Sequence, residues 1–317
     1  MADLIRGVLF DIDDTLFDYS SSERAGLLEH LAAEGLLDGF PSPEEAVGRW
    51  RRIMEEEYDR FLVGELTFEE QRLVRVSRFL GRPVPEEEAT AWFAGYSALV
   101  NAAWAAFPDA APVLAALAPR YRLGVVTNST LSHQLAKLTA LGLLGHFGTT
   151  AIVCSSEYGQ AKPHPGIFLE GCARLGLPPA QVAFVGDKYD IDALGARDAG
   201  LRAFWLDRSG RGAIPAHESA AGPRAGAAPA RESAVGPRVG AAPARESAAG
   251  RPARDVSAGE GAAGSRAGDG REREGAAGSR GGDGPAPDGV TVIGSLEELL
   301  TALDAVSSRR SAGGTAG

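Results

Sequence analysis

Cysteine is scarce in this 317-residue sequence, which contains only Cys154 and Cys172. Each of them lies in an apolar pattern, so we expect both to be small core residues and exclude a disulfide framework or a cysteine-ligated metal. Long hydrophobic runs are also missing, since no stretch approaches the roughly 18 apolar residues of a membrane-spanning helix. No signal-peptide pattern precedes the first predicted strand. The sequence therefore predicts a cytoplasmic protein without a membrane partner.

Positive charge is in deficit, because 32 Lys and Arg residues face 42 Asp and Glu residues, for a formal net charge of −10. A nucleic-acid partner usually requires a basic patch, so we expect none. Lysine is the rarest basic residue, with only Lys137, Lys162 and Lys188 among the 32. In such an arginine-rich chain, Lys162 between a strand end and a helix indicates a compact point charge, with a plain surface lysine as the alternative.

Aromatic residues are missing from residues 209–289, which contain no Phe, Tyr or Trp. The apolar residues of this segment are nearly all alanine, so burial could not offset the entropy lost on folding. A fourteen-residue unit recurs within it, as ESAAGPRAGAAPAR at 218–231 and as ESAVGPRVGAAPAR at 232–245. Because the unit has no hydrophobic face to stack, we predict a disordered linker produced by sequence expansion. We also predict a disordered tail over residues 306–317.

Outside that linker, short apolar strands alternate with helical patterns. Strands that alternate with helices form a parallel sheet covered on both faces, so we predict an α/β fold with a Rossmann-like three-layer core. The linker is then a long insertion before the last strand. The predicted strands are 5–10, 122–127, 151–154, 182–185, 203–206 and 290–293, and the predicted core helices are 131–141, 166–175, 190–199 and 296–305.

About 110 residues separate the first two predicted strands, although a crossover needs only about a dozen. Amphipathic helical patterns fill this stretch at 22–34, 43–62, 67–80 and 85–106. The stretch begins where the ligand crevice of an open α/β sheet lies, so we interpret residues 18–106 as a helical subdomain placed to act as a lid. The predicted core comprises residues 1–17, 107–208 and 290–305.

The end of the first strand carries an unusual concentration of carboxylates. The apolar residues VLF run into DIDDT, which places Asp11, Asp13 and Asp14 within four residues. Burial of unpaired carboxylates costs on the order of several kcal/mol each, so this position calls for a cation or for a reaction that uses the charge. We expect Asp11 and Asp13 to serve that function and Asp14 to bond to nearby loop N–H groups.

Three other predicted strands also end in polar residues. Thr127 and Asn128 follow the second strand, Lys162 follows the third, and Asp187 and Asp192 follow the fourth. Because parallel strands bring their carboxyl ends to one edge of the sheet, we expect these groups to share a crevice with DIDDT. Carboxylates there suit Mg²⁺, whereas lysine, hydroxyl and backbone N–H groups suit phosphate oxygens. Helix capping is the alternative role for Asn128.

The motifs DIDDT, TNS, KPHP and GDKYDID, in this order and each at a strand end, resemble those of the haloacid dehalogenase-like (HAD) hydrolase superfamily. The resemblance covers residues 5–206 and 290–305. It is specific because four motifs agree in order and context, whereas DxDxT alone would be weak. The helical stretch after DIDDT is similar to the C1 cap of this superfamily. The resemblance further implies a core sheet with strand order 5-4-1-2-3.

The resemblance also implies a role for each candidate residue. Asp11 would be the nucleophile that forms an aspartyl-phosphate, and Asp13 the general acid and base. Thr127, Asn128 and Lys162 would bind the phosphoryl oxygens.

A Mg²⁺ ion would be bound by the Asp11 side chain, the Asp13 backbone carbonyl and Asp187. Asp192 would support the metal directly or through water. We expect neighbouring negative charge to raise the pKa of Asp13 toward the working pH.

We therefore predict a magnesium-dependent hydrolase that cleaves a small-molecule phosphate monoester. Dehalogenases of the superfamily lack an aspartate two positions after the nucleophile, so Asp13 favours phosphoryl transfer. The alternatives are a phosphomutase, a dehalogenase, and a phosphate- or metal-binding sensor or scaffold without turnover. The sequence leaves the identity of the ester and the oligomeric state open.

The predicted cap contains several arginines that could bind a second anionic group of the substrate. Arginines among glutamates on helices are more typical of a solvated face, which is the interpretation we favour. Aromatic residues near the end of the cap are expected to pack in its core. The arginines are Arg49, Arg51, Arg52, Arg72, Arg75 and Arg78, and the aromatic residues are Trp92, Tyr96 and Trp104.

Overall fold

The computed structural model describes residues 4–210 and 289–308. Within them the strands are β1 (Gly7–Phe10), β2 (Arg122–Thr127), β3 (Ile152–Cys154), β4 (Val182–Gly186), β5 (Arg202–Leu206) and β6 (Thr291–Ile293). They form one parallel sheet in the order β3-β2-β1-β4-β5-β6. The predicted disorder of 209–289 concerns residues that lie almost wholly outside the described ranges. The predicted disordered tail of 306–317 is wrong at its start, because the last helix (Leu296–Ser308) continues to residue 308, and the rest of the tail lies outside the described ranges.

This strand order confirms the predicted α/β fold. Read from β5 to β3 it is the expected 5-4-1-2-3, and β6 pairs with β5 at the far side. The long insertion therefore joins two neighbouring strands. The central strand is β1, between β2 and β4, so the residues that follow it lie at the middle of the carboxyl edge.

Within residues 18–106 the described chain forms four α-helices. They are α1 (Tyr19–Ala33), α2 (Pro43–Leu62), α3 (Phe68–Leu80) and α4 (Glu86–Ala102). The start of α3 shows how local sequence defines them, because Thr67 and Glu70 form a capping box in which each side chain accepts the other's backbone N–H. The predicted boundaries agree closely, except that α4 ends before residue 106.

The helical insertion has a hydrophobic cluster of its own. Trp50, Trp92 and Tyr96 are buried together at its centre, which confirms the expected packing role of Trp92 and Tyr96. The Trp50 indole N–H donates to the Tyr96 hydroxyl at 3.0 Å, so the polar atoms of these two rings are paired inside the cluster.

The two connections between this insertion and the sheet run side by side. Phe17 forms an antiparallel bridge with Ala106, and the Asp18 N–H donates to the Ala105 carbonyl at 3.0 Å. The pairing attaches the helices directly behind DIDDT. The division of the chain into a core and a cap stays a prediction, with these paired connections as its proposed boundary.

The remaining described helices cover the sheet. They are α5 (Ala110–Leu117), α6 (Leu131–Ala140), α7 (Ser155–Tyr158), α8 (Pro165–Leu175), a π-helical turn (Tyr189–Leu194), α9 (Gly195–Asp198) and α10 (Leu296–Ser308). None of the described helices is long and apolar enough to cross a bilayer.

Alternating side chains divide the core into two layers. Val8 and Phe10 of β1 pack on the face covered by α5, α6 and α10, whereas Leu9 packs on the face covered by α8 and α9. Both cysteines are buried free thiols, as expected, with Cys154 on the first face and Cys172 on the second.

The helix α5 is a structural element that the sequence pattern did not predict. Its eight residues, AAPVLAAL, are too few and too uniformly apolar to show a helical period. Val113, Leu114 and Leu117 are buried against the sheet. Tertiary packing therefore stabilises a helix that local periodicity does not reveal.

A pair of helical glycines tests how tightly the insertion is packed. A Cβ atom at Gly26 of α1 would lie 2.4 Å from the Val100 backbone nitrogen of α4, whereas Gly48 of α2 has no neighbour within 4 Å. Gly26→Ala should therefore destabilise the protein by about 1–3 kcal/mol. Gly48→Ala should stabilise it by up to about 1 kcal/mol through helix propensity. Thermal and urea unfolding measure the stability of both variants. Equal effects of the two substitutions would contradict the close packing of α1 against α4.

Candidate active site

The carboxylate of Asp11 lies at the centre of the sheet's carboxyl edge. Asp11 continues the line of β1, because its N–H donates to the Val185 carbonyl at 2.9 Å. The residue is only 6% exposed. A buried carboxylate requires a counter-charge or several hydrogen bonds.

Lys162 provides that counter-charge. Its Nζ lies 2.6 Å from Asp11 Oδ1 and 2.7 Å from Asp192 Oδ1, and all three residues are buried. Burial alone would lower the pKa of Lys162, but the two carboxylates hold the pKa above its ordinary value. The ammonium is therefore a permanent positive charge between two acids.

The position of Lys162 is maintained by Asn128. The Asn128 Nδ2 donates to the Lys162 carbonyl at 3.0 Å, and the Lys162 N–H donates to Asn128 Oδ1 at 2.7 Å. These two bonds join the loop after β2 to the loop after β3. The neighbouring Thr127 is buried at the end of β2. Phosphate binding by Thr127 and Asn128 stays a prediction, and the Asn128 side chain has the further function of positioning Lys162.

Asp192 reaches the site from the π-helical turn after β4. Its Oδ2 accepts the Lys188 N–H at 3.1 Å, and a Cβ atom on Gly186 would lie 2.4 Å from the same oxygen. Only glycine at the end of β4 therefore leaves room for this carboxylate. The GDKYDID motif thus supplies both the acid and the space for it.

Three carboxylates at this edge could hold one metal ion. Asp11, Asp187 and Asp192 each offer an oxygen, and these oxygens lie within 4.8 Å of one another. Asp187 Oδ1 is buried and has no hydrogen-bond partner among the described residues. A buried orphaned carboxylate oxygen facing two further carboxylates fits an oxygen-ligated divalent cation. The residues present therefore fit the predicted Mg²⁺.

The same crowding raises carboxyl pKa values. Burial, followed by the negative charges of Asp192 and Asp11, raises the pKa of Asp187 to about 8. Burial raises the pKa of Asp11 to about 6, although Lys162 opposes the shift. A bound cation would therefore stabilise the ionised form of each carboxylate.

Asp13 lies apart from this cluster and has a different counter-ion. Its Oδ1 accepts a hydrogen bond from the Lys137 ammonium and its Oδ2 one from Gln134 Nε2 at 3.3 Å, both from α6. Burial would raise the pKa of Asp13, but the charge and hydrogen bond of Lys137 lower it below the ordinary value. The expectation that negative neighbours raise this pKa is wrong, because α6 places a cation against Asp13.

Lys137 is a site residue that the sequence reasoning missed. It is 2% exposed, and its ammonium lies 4.5 Å from the ring centre of Phe17, 5.9 Å from that of Trp104 and 6.0 Å from that of Tyr19. Aromatic faces attract such a cation. The signal was available, because the scarcity of lysine that singled out Lys162 applies equally to Lys137.

Tyr58 brings the helical insertion into contact with the site. Its hydroxyl, from α2, donates to the Asn128 carbonyl at 2.9 Å. Burial raises the pKa of Tyr58 to about 12, and the Asp13 carboxylate acts in the same direction. The insertion therefore covers the loop that carries Thr127 and Asn128.

Asp14 has a local structural role, as expected. It adopts a positive φ of 60°, and its carboxylate accepts the Ser20 N–H at 2.8 Å and the Ser20 hydroxyl at 2.7 Å. These bonds support the sharp turn between β1 and α1.

A parallel α/β sheet with a buried lysine, a carboxylate cluster and a hydroxyl at its carboxyl edge is typical of the ligand crevice of α/β proteins. The model of the haloacid dehalogenase-like hydrolases matches residues 5–200. The chain belongs to this family, which confirms the predicted superfamily and the prediction of a hydrolase.

Curated relatives and solved structures agree with this assignment. The chain is 33% identical to a glyceraldehyde 3-phosphate phosphatase of Methanothermobacter thermautotrophicus over 64% of its own length and 86% of the relative. It is 30% identical to a ribulose-1,5-bisphosphate 5-phosphatase of Halopiger xanaduensis over 64% and 84%. Its fold is similar to that of a putative HAD-hydrolase of Bacillus subtilis bound to magnesium, with a TM-score of 0.56, 21% identity and coverage of 66% and 92%.

The raised pKa of Asp187 predicts a pH-dependent effect of Asp187→Asn. This pKa is about 8 in the fold against an ordinary 3.8, so without metal the carboxyl contributes stability at low pH that is lost as pH rises toward about 8. Metal-free wild type should therefore lose stability relative to the variant over that range. Mg²⁺ at about pH 8 should restore the wild type only. Thermal unfolding with EDTA or with MgCl₂ measures the stability of both proteins. Equal responses of wild type and variant would contradict a metal-binding role of Asp187.

Proposed function

We propose that this protein is a magnesium-dependent phosphatase that hydrolyses a small-molecule phosphate monoester through an aspartyl-phosphate. The observation that carries the proposal is the buried Asp11 carboxylate 2.6 Å from the Lys162 ammonium and within one cluster with Asp187 and Asp192. An anionic nucleophile can approach an anionic phosphoryl group only where positive charge is concentrated. The phosphatase names of the relatives support the same reaction.

In the first step, an Asp11 carboxylate oxygen attacks phosphorus, and the bond between phosphorus and the ester oxygen breaks. Lys162 neutralises charge on the transferred group, with Thr127 and the N–H groups after β2 as proposed partners of its oxygens. Asp13, which takes up a proton when the negative charge of the substrate lies beside it, donates that proton to the departing alkoxide, which leaves as an alcohol.

In the second step, water attacks the phosphorus of the aspartyl-phosphate, and the Asp13 carboxylate accepts the proton of that water. The bond between phosphorus and Asp11 breaks, which releases inorganic phosphate and regenerates both aspartates. The ion pair with Lys137 keeps Asp13 ionised for this step and holds its carboxylate on the α6 side of the crevice.

Mg²⁺ would be held by Asp11, Asp187 and Asp192, with the Asp13 carbonyl as a further proposed ligand, and would supply positive charge beside the phosphoryl group. The paired connections and the Tyr58 contact support α1–α4 as the lid of the crevice. A cytoplasmic location and a free small-molecule substrate complete the proposal.

Hydrolysis of p-nitrophenyl phosphate tests the reaction. Wild type should release phosphate with Mg²⁺ and not with EDTA, and Asp11→Asn should reduce kcat by at least about 1,000-fold, because the nucleophile is removed. The variant should stay folded, because Asn keeps the shape of Asp and Asp192 still pairs with Lys162. A wild-type protein that binds Mg²⁺ but hydrolyses none of a broad panel of phosphate esters would instead favour the sensor or scaffold.

Lys137→Met tests whether Lys137 acts through Asp13. The variant should lower kcat by about 10-fold or more on glycerol 3-phosphate and on p-nitrophenyl phosphate alike, because the second step, in which Asp13 must be ionised to accept the proton of water, is common to both substrates. In an Asp13→Asn background the same substitution should have almost no effect on kcat. Additive losses in the double variant would show that Lys137 acts independently of Asp13.

A further inference from the structure

Arg75 of α3 is a buried cation without an anionic partner. It is only 6% exposed, and no ion pair joins it to any carboxylate among the described residues. Its Nε atom is buried and has no hydrogen-bond partner there. The sequence interpretation of the cap arginines as a solvated face is therefore wrong for this residue. A buried guanidinium that lacks an anion is costly to maintain.

Packing holds Arg75 in a defined orientation. Its guanidinium carbon lies 4.6 Å from the ring centre of Trp50 and 5.4 Å from that of Phe93. Aromatic faces attract the cation but provide no acceptor for its N–H groups. The Tyr96 hydroxyl is the polar group it reaches, and that hydroxyl is neutral. The guanidinium is thus fixed in place while its charge is not balanced.

A second guanidinium packs against the Phe93 ring. Arg72, one turn earlier on α3, lies 5.1 Å from the ring centre of Phe93. Two arginines therefore pack against Phe93 of α4. Arg72 is half-buried and Arg75 is buried. Two like charges held side by side repel each other, and a shared anion removes that repulsion.

The nearby buried carboxylate does not serve as this anion. Glu23 of α1 is fully buried, but it accepts a hydrogen bond from the Tyr19 hydroxyl at 3.0 Å and forms an ion pair of 2.8 Å with Arg51. Glu23 is thus paired with Arg51, and no carboxylate among the described residues forms an ion pair with Arg75.

The arginine pair lies on the catalytic side of the helical insertion. The Tyr19 ring is 6.0 Å from the Lys137 ammonium, which bonds to Asp13, and both Arg75 and Asp13 act on the pKa of Tyr19, which burial raises. Burial, then the charges of Lys137 and Arg72, lower the pKa of His133 on α6. Both arginines therefore lie close enough to the Asp13–Lys137 pair to act on residues beside it.

From this geometry we infer that Arg75, with Arg72, forms a subsite for a second acidic group of the substrate, a carboxylate or a phosphate at the end remote from the ester. The inference rests on the proposed phosphatase function and specifies its substrate class. A planar guanidinium recognises either group through two parallel hydrogen bonds. Arg75 is thus a specificity-determining residue, since it acts on the part of the substrate that does not react.

Two matched ligand pairs test the subsite. In each pair the first compound carries a second acidic group and the other lacks it: 3-phosphoglycerate against glycerol 3-phosphate, and ribulose 1,5-bisphosphate against ribulose 5-phosphate. Wild type should prefer the diacid of at least one pair in kcat/KM by about 30-fold or more. Arg75→Met should reduce that ratio to within about 3-fold. Arg78→Met, an exposed arginine of α3 paired with Glu56 and Glu57, is the control and should keep it.

Stability is a second readout that does not depend on catalysis. Arg75→Met replaces an unbalanced buried charge by an apolar side chain of similar length, so the ligand-free Tm should not fall. Should that variant fail to fold, Arg75→Lys keeps the charge, loses the planar fork and should still weaken the preference.

Binding to the Asp11→Asn protein separates this inference from the proposed reaction. Calorimetry on the Asp11→Asn protein should show that the diacid of a pair binds more tightly than its partner compound. In the double variant D11N/R75M the two compounds should bind equally. Equal binding of both compounds in both pairs overturns the subsite even where p-nitrophenyl phosphate is hydrolysed. A preference that depends on Arg75 supports it even where turnover is missing, and a preference that survives Arg75→Met overturns it.

Discussion

The ion pair between Lys162 and the carboxylates of Asp11 and Asp192 is the interaction on which the acidic edge of the sheet depends. Parallel strands direct their carboxyl ends to one side, and in this chain those ends carry acids that would repel one another if buried alone. The ammonium lies within 2.7 Å of both. Asn128 and Gly186 make the arrangement possible, the first by clamping the lysine's backbone and the second by leaving room for Asp192.

A second lysine gives the two aspartates different environments. Lys162 balances Asp11 within a cluster that still has room for a cation, whereas Lys137 pairs with Asp13 under three aromatic rings. The two acids, two residues apart in DIDDT, therefore experience opposite environments. Burial and like charges raise the pKa of Asp11, and a buried ammonium lowers that of Asp13. Separated environments allow neighbouring carboxylates to perform different chemistry.

Much of the fold could be predicted because strands and helices have strong periodic patterns and the motifs stand where those patterns end. All six strands and the helices that flank the motifs agree with the structure to within a few residues. The helix α5 could not be predicted, since eight apolar residues have no period that distinguishes a helix from a strand. Lys137 has the same scarcity signal as Lys162, but it lies inside helix α6 and not at a strand end, so only the structure shows that its ammonium reaches Asp13. Whether Arg75 is exposed or buried could not be predicted, because the sequence does not show which face of α3 packs inward.

The amino-acid sequence by itself determined the α/β alternation, the insertion after the first strand, the family motifs and the acidic character of one sheet edge. Each of these follows from the order and spacing of residues close together in the chain. Only the tertiary structure decided which cation neutralises which carboxylate, which side chain positions Lys162, and which arginine lacks both solvent and a counter-ion among the described residues. Those outcomes depend on Coulomb interactions and desolvation between residues distant in sequence, and chain folding alone sets the distances between them.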